Sequence, residues 1–184
     1  MFWFRSLATV GVVGAVALGA WVRARRRAGR AKTPARRLSL WEKLVLAATG
    51  GSFVLLAATG FFSTLVLGQP MHGLHLMVHT ALGGVFFAGL AALTLTWAEA
   101  CRINDEDWRP SRRSRGARVA GRFTLGEKLF FWAFVFWGLI AILTMLCAME
   151  PLLGTHGQLL LYKAHRASTL LMVMGGIVFG CAKV

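Results

Sequence analysis

Apolar positions in this chain run in long blocks, without the alternation or three-to-four-residue rhythm that marks an element with one wet face. A helix that crosses a bilayer needs about 20 mostly apolar residues. Five stretches meet or approach that length: residues 6–22, 44–67, 74–97, 129–148 and 158–180. The first is short, and the last carries Lys163, His165 and Arg166 in its opening turns. Trp3, Trp21, Trp41 and Trp97 stand at the ends of these runs, where an amphipathic ring prefers the headgroup layer. Helices apolar all round need either a protein core or lipid around them.

An internal repeat organises the blocks. Ser39-Leu40-Trp41-Glu42-Lys43-Leu44 returns, at an offset of 85, as Thr124-Leu125-Gly126-Glu127-Lys128-Leu129. Each copy is a hydroxyl residue three positions ahead of a Glu, before an apolar run. That spacing predicts a capping box, in which the hydroxyl and the carboxylate each satisfy a free amide at a helix start. His72-Gly73 matches His156-Gly157 at an offset of 84, and His79 matches His165 at an offset of 86. The repeating unit therefore reads as helix, short outer loop with His-Gly, and helix with an inner His. Two helices per unit give both copies the same topology, as in repeats related by an axis along the membrane normal. The expected fold is an all-α integral membrane protein: a four-helix transmembrane bundle made of two parallel helix-hairpin repeats, plus one extra N-terminal transmembrane helix. Its segments are an anchor (1–22), a basic linker (23–38), a first hairpin (39–97), a basic loop (98–123) and a second hairpin (124–184).

Composition and charge sharpen this picture. Of 184 residues 57% are hydrophobic and only 15% charged, yet 21 Lys and Arg against 7 Asp and Glu leave a net charge of +14. So apolar a chain is neither disordered nor an ordinary nucleic-acid binder. Eighteen of the 21 basic residues lie in residues 23–43, in residues 101–128 or at Lys183, and the connections 68–73 and 150–157 hold none. By the positive-inside rule the basic segments are cytoplasmic. The N-terminus is then periplasmic and the C-terminus cytoplasmic, in the inner membrane of a bacterial cell. The basic stretches read as solvated, anionic-lipid-facing segments, so the lipid bilayer is an expected partner and nucleic acid is not. Arg5 alone precedes the first apolar block, which favours a retained anchor over a cleaved signal peptide. Cys101, Cys147 and Cys181 form no paired motif and read as small buried hydrophobes.

The candidate chemistry is histidine. His72, His75, His79, His156 and His165 all fall on the outer half of the expected bundle. An ionisable residue inside a span usually faces the bundle interior and serves function. The repeat places His79 and His165 at similar depth on the second and fourth bundle helices, which suits the two axial positions of one b-type haem. Zinc ordinarily takes four ligands, and no in-span carboxylate or thiol accompanies the pair. Gly83, one turn beyond His79, can admit a flat macrocycle or serve close helix packing. Lys163 and Arg166 can pair with haem propionates or simply snorkel. His75 shares a face with His79 and is a substitute ligand. No nucleophile–base pair, carboxylate pair or phosphate loop is present, so catalysis is expected in another subunit. Two other readings stand beside the haem: a haem-free structural membrane subunit of a larger complex, and a small transporter subunit with histidines along a proton path.

From Arg37 to Gly180 the chain resembles the four-helix cytochrome b subunits of respiratory formate dehydrogenases and nickel–iron hydrogenases, the prokaryotic cytochrome b561-like group. Arg37-Leu38-Ser39-Leu40-Trp41 is similar to that group's R-x-x-H-W opening. Gly126-Glu127-Lys128-Leu129-Phe130-Phe131-Trp132 resembles its G-Q-K-x-x-F-W segment, and His79-Thr80-Ala81-Leu82-Gly83 its H-x-x-x-G. His165 sits where its fourth helix carries a ligand. The resemblance implies a membrane-anchor electron-transfer subunit that joins a periplasmic-side iron–sulfur or cytochrome subunit to the quinone pool, with quinone as a further ligand. Members normally hold two haems, but here the cytoplasmic-side ligand positions fall at Leu40 and about Phe179. One haem, on His79 and His165, is therefore the expectation.

Overall fold

The computed structural model describes residues 38–108, 123–150 and 153–183, together with residues 14, 16, 20 and 21. Residues 14, 16, 20 and 21 are helical, whereas the rest of the expected N-terminal span, most of the basic linker and most of the basic loop lie outside the described residues. Every regular element among the described residues is helical: α1 (Leu40–Phe61) with a π-helical extension (Phe62–Leu67), α2 (Gly73–Trp97), a single turn α3 (Asp105–Trp108), α4 (Leu125–Met149) and α5 (Gly154–Lys183). Three helices are long and apolar enough to cross a membrane: Leu40–Thr64, Gly73–Trp97 and Leu125–Met149. The 30-residue α5 has the length, about 45 Å at 1.5 Å per residue, but Lys163, His165 and Arg166 interrupt its apolar run.

Both capping boxes form. The Ser39 Oγ accepts from the Glu42 amide and the Glu42 carboxylate accepts from the Ser39 amide. Thr124 and Glu127 repeat the exchange at α4. Each cap starts its helix four residues ahead of the apolar block, because the box satisfies amides that the interface would otherwise leave unpaired. Glu42 also accepts from the Trp97 indole at 3.1 Å, and the Trp41 indole donates to the Thr96 hydroxyl at 3.2 Å, so the start of α1 is tied to the end of α2.

The bundle is built from two hairpins, α1 against α2 and α4 against α5, which meet chiefly where α2 lies along α4. Small residues allow the close approaches. A Cβ on Gly89 would stand 2.7 Å from the Thr49 Oγ and 3.2 Å from its Cα, and one on Gly138 would stand 2.8 Å from Leu90 Cδ2. Gly89→Val therefore forces α1 and α2 apart. A loss of roughly 1–3 kcal/mol, the usual range for overpacking, is expected in denaturant titration of the purified protein, whereas Gly50→Val, whose Cβ meets open space, costs far less.

Rings link the four helices: Phe53 of α1 contacts Phe86 of α2 and Phe134 of α4, and Phe130 of α4 stacks on Phe179 of α5 at 4.1 Å and 5°. Phe179, the position where the resemblance puts a last-helix ligand, thus has its ring face covered by Phe130. Leu40, the corresponding first-helix position, is 74% exposed. Outside this core the helices present a broad apolar surface, including Val54, Leu55, Val85, Phe87, Phe136 and Leu143. Among the described residues no buried side-chain polar atom lacks a partner, as lipid requires. Thr49 and Ser52, for example, donate back to carbonyls of their own helix.

At the end where α4 starts, Lys128 donates to the Asp107 carboxylate and to the Arg102 carbonyl, both at 2.8 Å, and the Trp132 indole donates to the Cys101 carbonyl. The Asn104 amide and then Lys128 hold the Asp107 carboxyl below its ordinary value of 3.8. A depressed carboxylate contributes stability that is complete above its unfolded pKa and is lost as pH falls through its folded one. The loop contact should therefore be constant from neutral pH down to about 5 and weaken only below 3.8. Hydrogen exchange at the Asp107 amide, which bonds to the Asn104 carbonyl, checks this.

Candidate functional site

His79 lies six residues into α2 and His165 eleven residues into α5, so at 1.5 Å per residue they stand about 9 Å and 16 Å from the starts of their helices. The difference arises in α5. The sequence reading puts His156-Gly157 in an outer loop equivalent to His72-Gly73, but the chain enters α5 at Gly154, whose φ of 60° matches the 55° of Gly73. His156 and Gly157 are already helical, and His156 is exposed. About one turn of α5 therefore projects beyond the repeat-equivalent start of α2, and His165, half-buried, packs against α4.

The two imidazoles are half-buried, and each is held through Nδ1 by the first helix of its own hairpin. His165 Nδ1 is 2.9 Å from the Ala141 carbonyl oxygen of α4. A carbonyl only accepts, so Nδ1 carries the proton. His79 Nδ1 is 2.8 Å from the Thr59 Oγ of α1. The single Thr59 hydroxyl proton already goes to the Leu55 and Leu56 carbonyls, at 2.9 and 3.1 Å. With its proton directed to either carbonyl, as is usual for a helical Thr, the Thr59 oxygen accepts from His79, and that arrangement places the proton of this ring on Nδ1 too. In both rings Nε2 is left with a bare lone pair, and neither Nε2 has a hydrogen-bond partner among the described residues. The two rings lie within electrostatic range of each other, and His75 is within range of His79.

Thr59 is a site residue that the sequence reading missed. The signal was available: Thr144 matches Thr59 at an offset of 85, the same as that of the capping boxes. Thr144 shares its hydroxyl between the Ile140 and Ala141 carbonyls, at 2.6 and 3.0 Å, as Thr59 does in the first hairpin. Ala141, the acceptor for His165, stands at that same offset from Leu56.

The remaining candidates divide. Gly83 shares the face of His79 one turn on, and a Cβ there or on Gly84 would meet nothing within 4 Å. The close-packing role considered for Gly83 thus falls instead to Gly89 and Gly138. The His79 ring lies beside Gly60 of α1, where a built Cβ would stand in ordinary contact 3.6 Å from Cε1. Arg166 is exposed and within electrostatic range of His165. Lys163 is exposed and, two residues before His165, falls about 160° around the helix from it. The His75 ring lies against Phe62, with centroids 6.5 Å apart and planes at 61°.

Among the described residues no three His, Cys, Asp or Glu side chains gather as a metal-holding group. A bare metal ion that needs four protein donors has no such set among the described residues, whereas His79 and His165 could supply two nitrogen donors to a group that brings its other donors with it. No protein-family model matches the chain, and neither does any curated protein or solved structure.

Proposed function

We propose that the chain is a membrane-anchor b-type cytochrome, the non-catalytic electron-transfer subunit of a respiratory oxidoreductase in the bacterial inner membrane. The observation that carries this reading is the matched pair of imidazoles. His79 and His165 come from different hairpins, are half-buried, and are each held through Nδ1, His165 by a carbonyl and His79 by the Thr59 hydroxyl, an arrangement that would leave both Nε2 atoms for iron. Haem ligands are held in this manner, with the distal nitrogen fixed by a carbonyl or another acceptor and the ring oriented by it. When bound, one haem b supplies one-electron chemistry at an iron whose potential depends on burial and on these outer hydrogen bonds.

The residues have distinct tasks. His79 and His165 hold the iron, and Thr59 and the Ala141 carbonyl fix their rings. Gly83 keeps the adjoining helix face open, and Arg166 provides a cation beside His165 for a propionate. The four-helix, two-repeat arrangement completes the reading, with α5 as the fourth span. The basic segments are cytoplasmic, the N-terminus periplasmic and the C-terminus cytoplasmic. His79 then stands near the periplasmic side, in reach of an iron–sulfur or cytochrome partner there and of quinone in the outer leaflet. A second, cytoplasmic-side haem would need ligands at Leu40 and about Phe179, and neither side chain can bind iron; Phe179 is instead stacked on Phe130.

The test is a reduced-minus-oxidised visible spectrum of the purified full-length protein. The expected result is a b-type α-band with one haem per chain. Absence of any such band overturns the reading and leaves the haem-free structural subunit.

A further inference from the structure

At the end of the bundle opposite the capping boxes, the first hairpin gathers three donor side chains within five residues of sequence. Met71, His72 and His75 line one open cavity of about 290 Å³. The chain fixes their frame. The buried Ser63 hydroxyl donates to the Gln69 carbonyl at 2.8 Å and pins the loop, and Gly73, at a φ of 55°, turns the backbone between the two histidines. His72 stands at the cap of α2 and His75 three residues on. Ser39 with Glu42 and Thr124 with Glu127 use that same spacing to cap α1 and α4. Yet His72 puts no side-chain hydrogen bond into its cap, and His75 rests only against Phe62. Both imidazoles thus keep their ring nitrogens without hydrogen-bond partners among the described residues. Nor does the repeat demand these residues: where His72 recurs as His156, Met71 gives way to Thr155 and His75 to Leu159.

We propose that Met71, His72 and His75 form a binding site for a soft monovalent metal ion, copper(I). Donor type and charge select the ion. Thioether sulfur is a soft donor that favours copper(I), and imidazole suits copper as well, whereas magnesium, calcium and manganese want carboxylate, carbonyl or water oxygen. Zinc(II) ordinarily takes four protein or water ligands, and among the described residues no third His, Cys, Asp or Glu joins the two histidines in a metal-holding group. Charge then separates ions of different valence. No Asp or Glu lines the cavity, and the free amides at the start of α2 make that end of the helix positive. A divalent ion therefore meets a repulsive field with no counter-charge to offset it. A copper(I) ion carries half that charge and is held by three neutral donors. Met71 is the discriminating residue, because its sulfur is a poor partner for hard ions. Neither His79 nor His165 lines the cavity, so the site stands apart from the haem pair and does not depend on it.

The experiment lets the purified full-length protein, in detergent and without oxygen, withdraw copper(I) from its coloured bicinchoninate complex, and counts the ions taken per chain. Cys147 is exposed and is the competing soft donor, so every measurement is made in a Cys147→Ser background. The expected result is one ion per chain, retained in His79→Ala and undisturbed by excess zinc(II). Met71→Leu keeps the bulk and removes the sulfur. His75→Leu takes the residue of the matching position in α5 and keeps an apolar contact with Phe62. Each weakens binding by more than about tenfold, since even the loss of an outer partner of a ligand costs that much. His72→Ala, at an exposed cap residue that makes no cap bond, does the same at no cost to the helix. Absence of uptake in the Cys147→Ser background overturns the proposal, as does uptake that Met71→Leu and His75→Leu leave unchanged. Displacement by zinc(II) overturns the choice of ion, and uptake lost in His79→Ala but kept in His75→Leu moves the ion to the haem pair. The α-band is read on the same samples: a chain with no band that still takes up copper(I) through Met71 and His75 sinks the haem reading alone.

Discussion

Alanine at His79 or at His165 is expected to remove the b-type α-band from the purified protein while the helices remain. On the proposed reading each substitution deletes one of the two iron ligands, and no group of three His, Cys, Asp or Glu gathers among the described residues to take its place. Loss of an outer hydrogen bond to a metal ligand already costs about 10–100-fold in metal affinity, so loss of the ligand itself should exceed that. The structural cost is small by comparison. His165→Ala forfeits one hydrogen bond, to the Ala141 carbonyl, worth about 1 kcal/mol net, and alanine is the best helix former. Circular dichroism should therefore show unchanged helix content in both variants, which separates loss of the cofactor from loss of the fold. Added imidazole should restore part of the band, because the deleted ring leaves a space of its own shape. His156→Ala, altered at an exposed residue in the first turn of α5, should retain full haem. A band that survives intact in both His79→Ala and His165→Ala would move the ligands elsewhere and overturn the pair.

The parts of this molecule that the sequence discloses are those set by local chemistry. A run of about 20 apolar residues has few alternatives to a helix in lipid, and Ser39–Glu42 and Thr124–Glu127 close into capping boxes because three residues of spacing suffice. The start of α5 escaped the same logic. The His-Gly match at 156–157 suggested a loop, but the residue that turns the chain is Gly154, at positive φ, and a shared dipeptide does not reveal backbone angles. The site divides in the same way. His79 and His165 are legible as matched positions at an offset of 86, although they stand six residues into α2 and eleven into α5. Their ring orientations depend on which groups of α1 and α4 stand opposite, and that is a tertiary fact. Gly89 and Gly138 read in sequence like Gly83 and Gly84; only the packing separates glycines that admit a neighbouring helix from those that face open space.

Thr59→Val is the sharper test of the site, because it touches neither of the proposed iron ligands nor the volume of the core. Valine matches threonine in shape and replaces the hydroxyl with a methyl group, so the His79 Nδ1–H loses its acceptor at 2.8 Å. With the Thr59 oxygen gone, nothing holds the proton on Nδ1, and a tautomer with the proton on Nε2 blocks that nitrogen as a ligand. The expected result is a haem affinity lower by about 10–100-fold, read as faster transfer of haem to a soluble acceptor protein. Thr59→Ser, which keeps the hydroxyl, should restore the wild-type affinity. Thr144→Val supplies the comparison from the other hairpin. Its hydroxyl bonds to the Ala141 carbonyl but not to His165, and that carbonyl remains as acceptor when the hydroxyl is gone. Its effect should thus be several-fold smaller. Equal loss in the two variants would mean that the hydroxyls act through helix packing, and that Thr59 does not set the tautomer of His79.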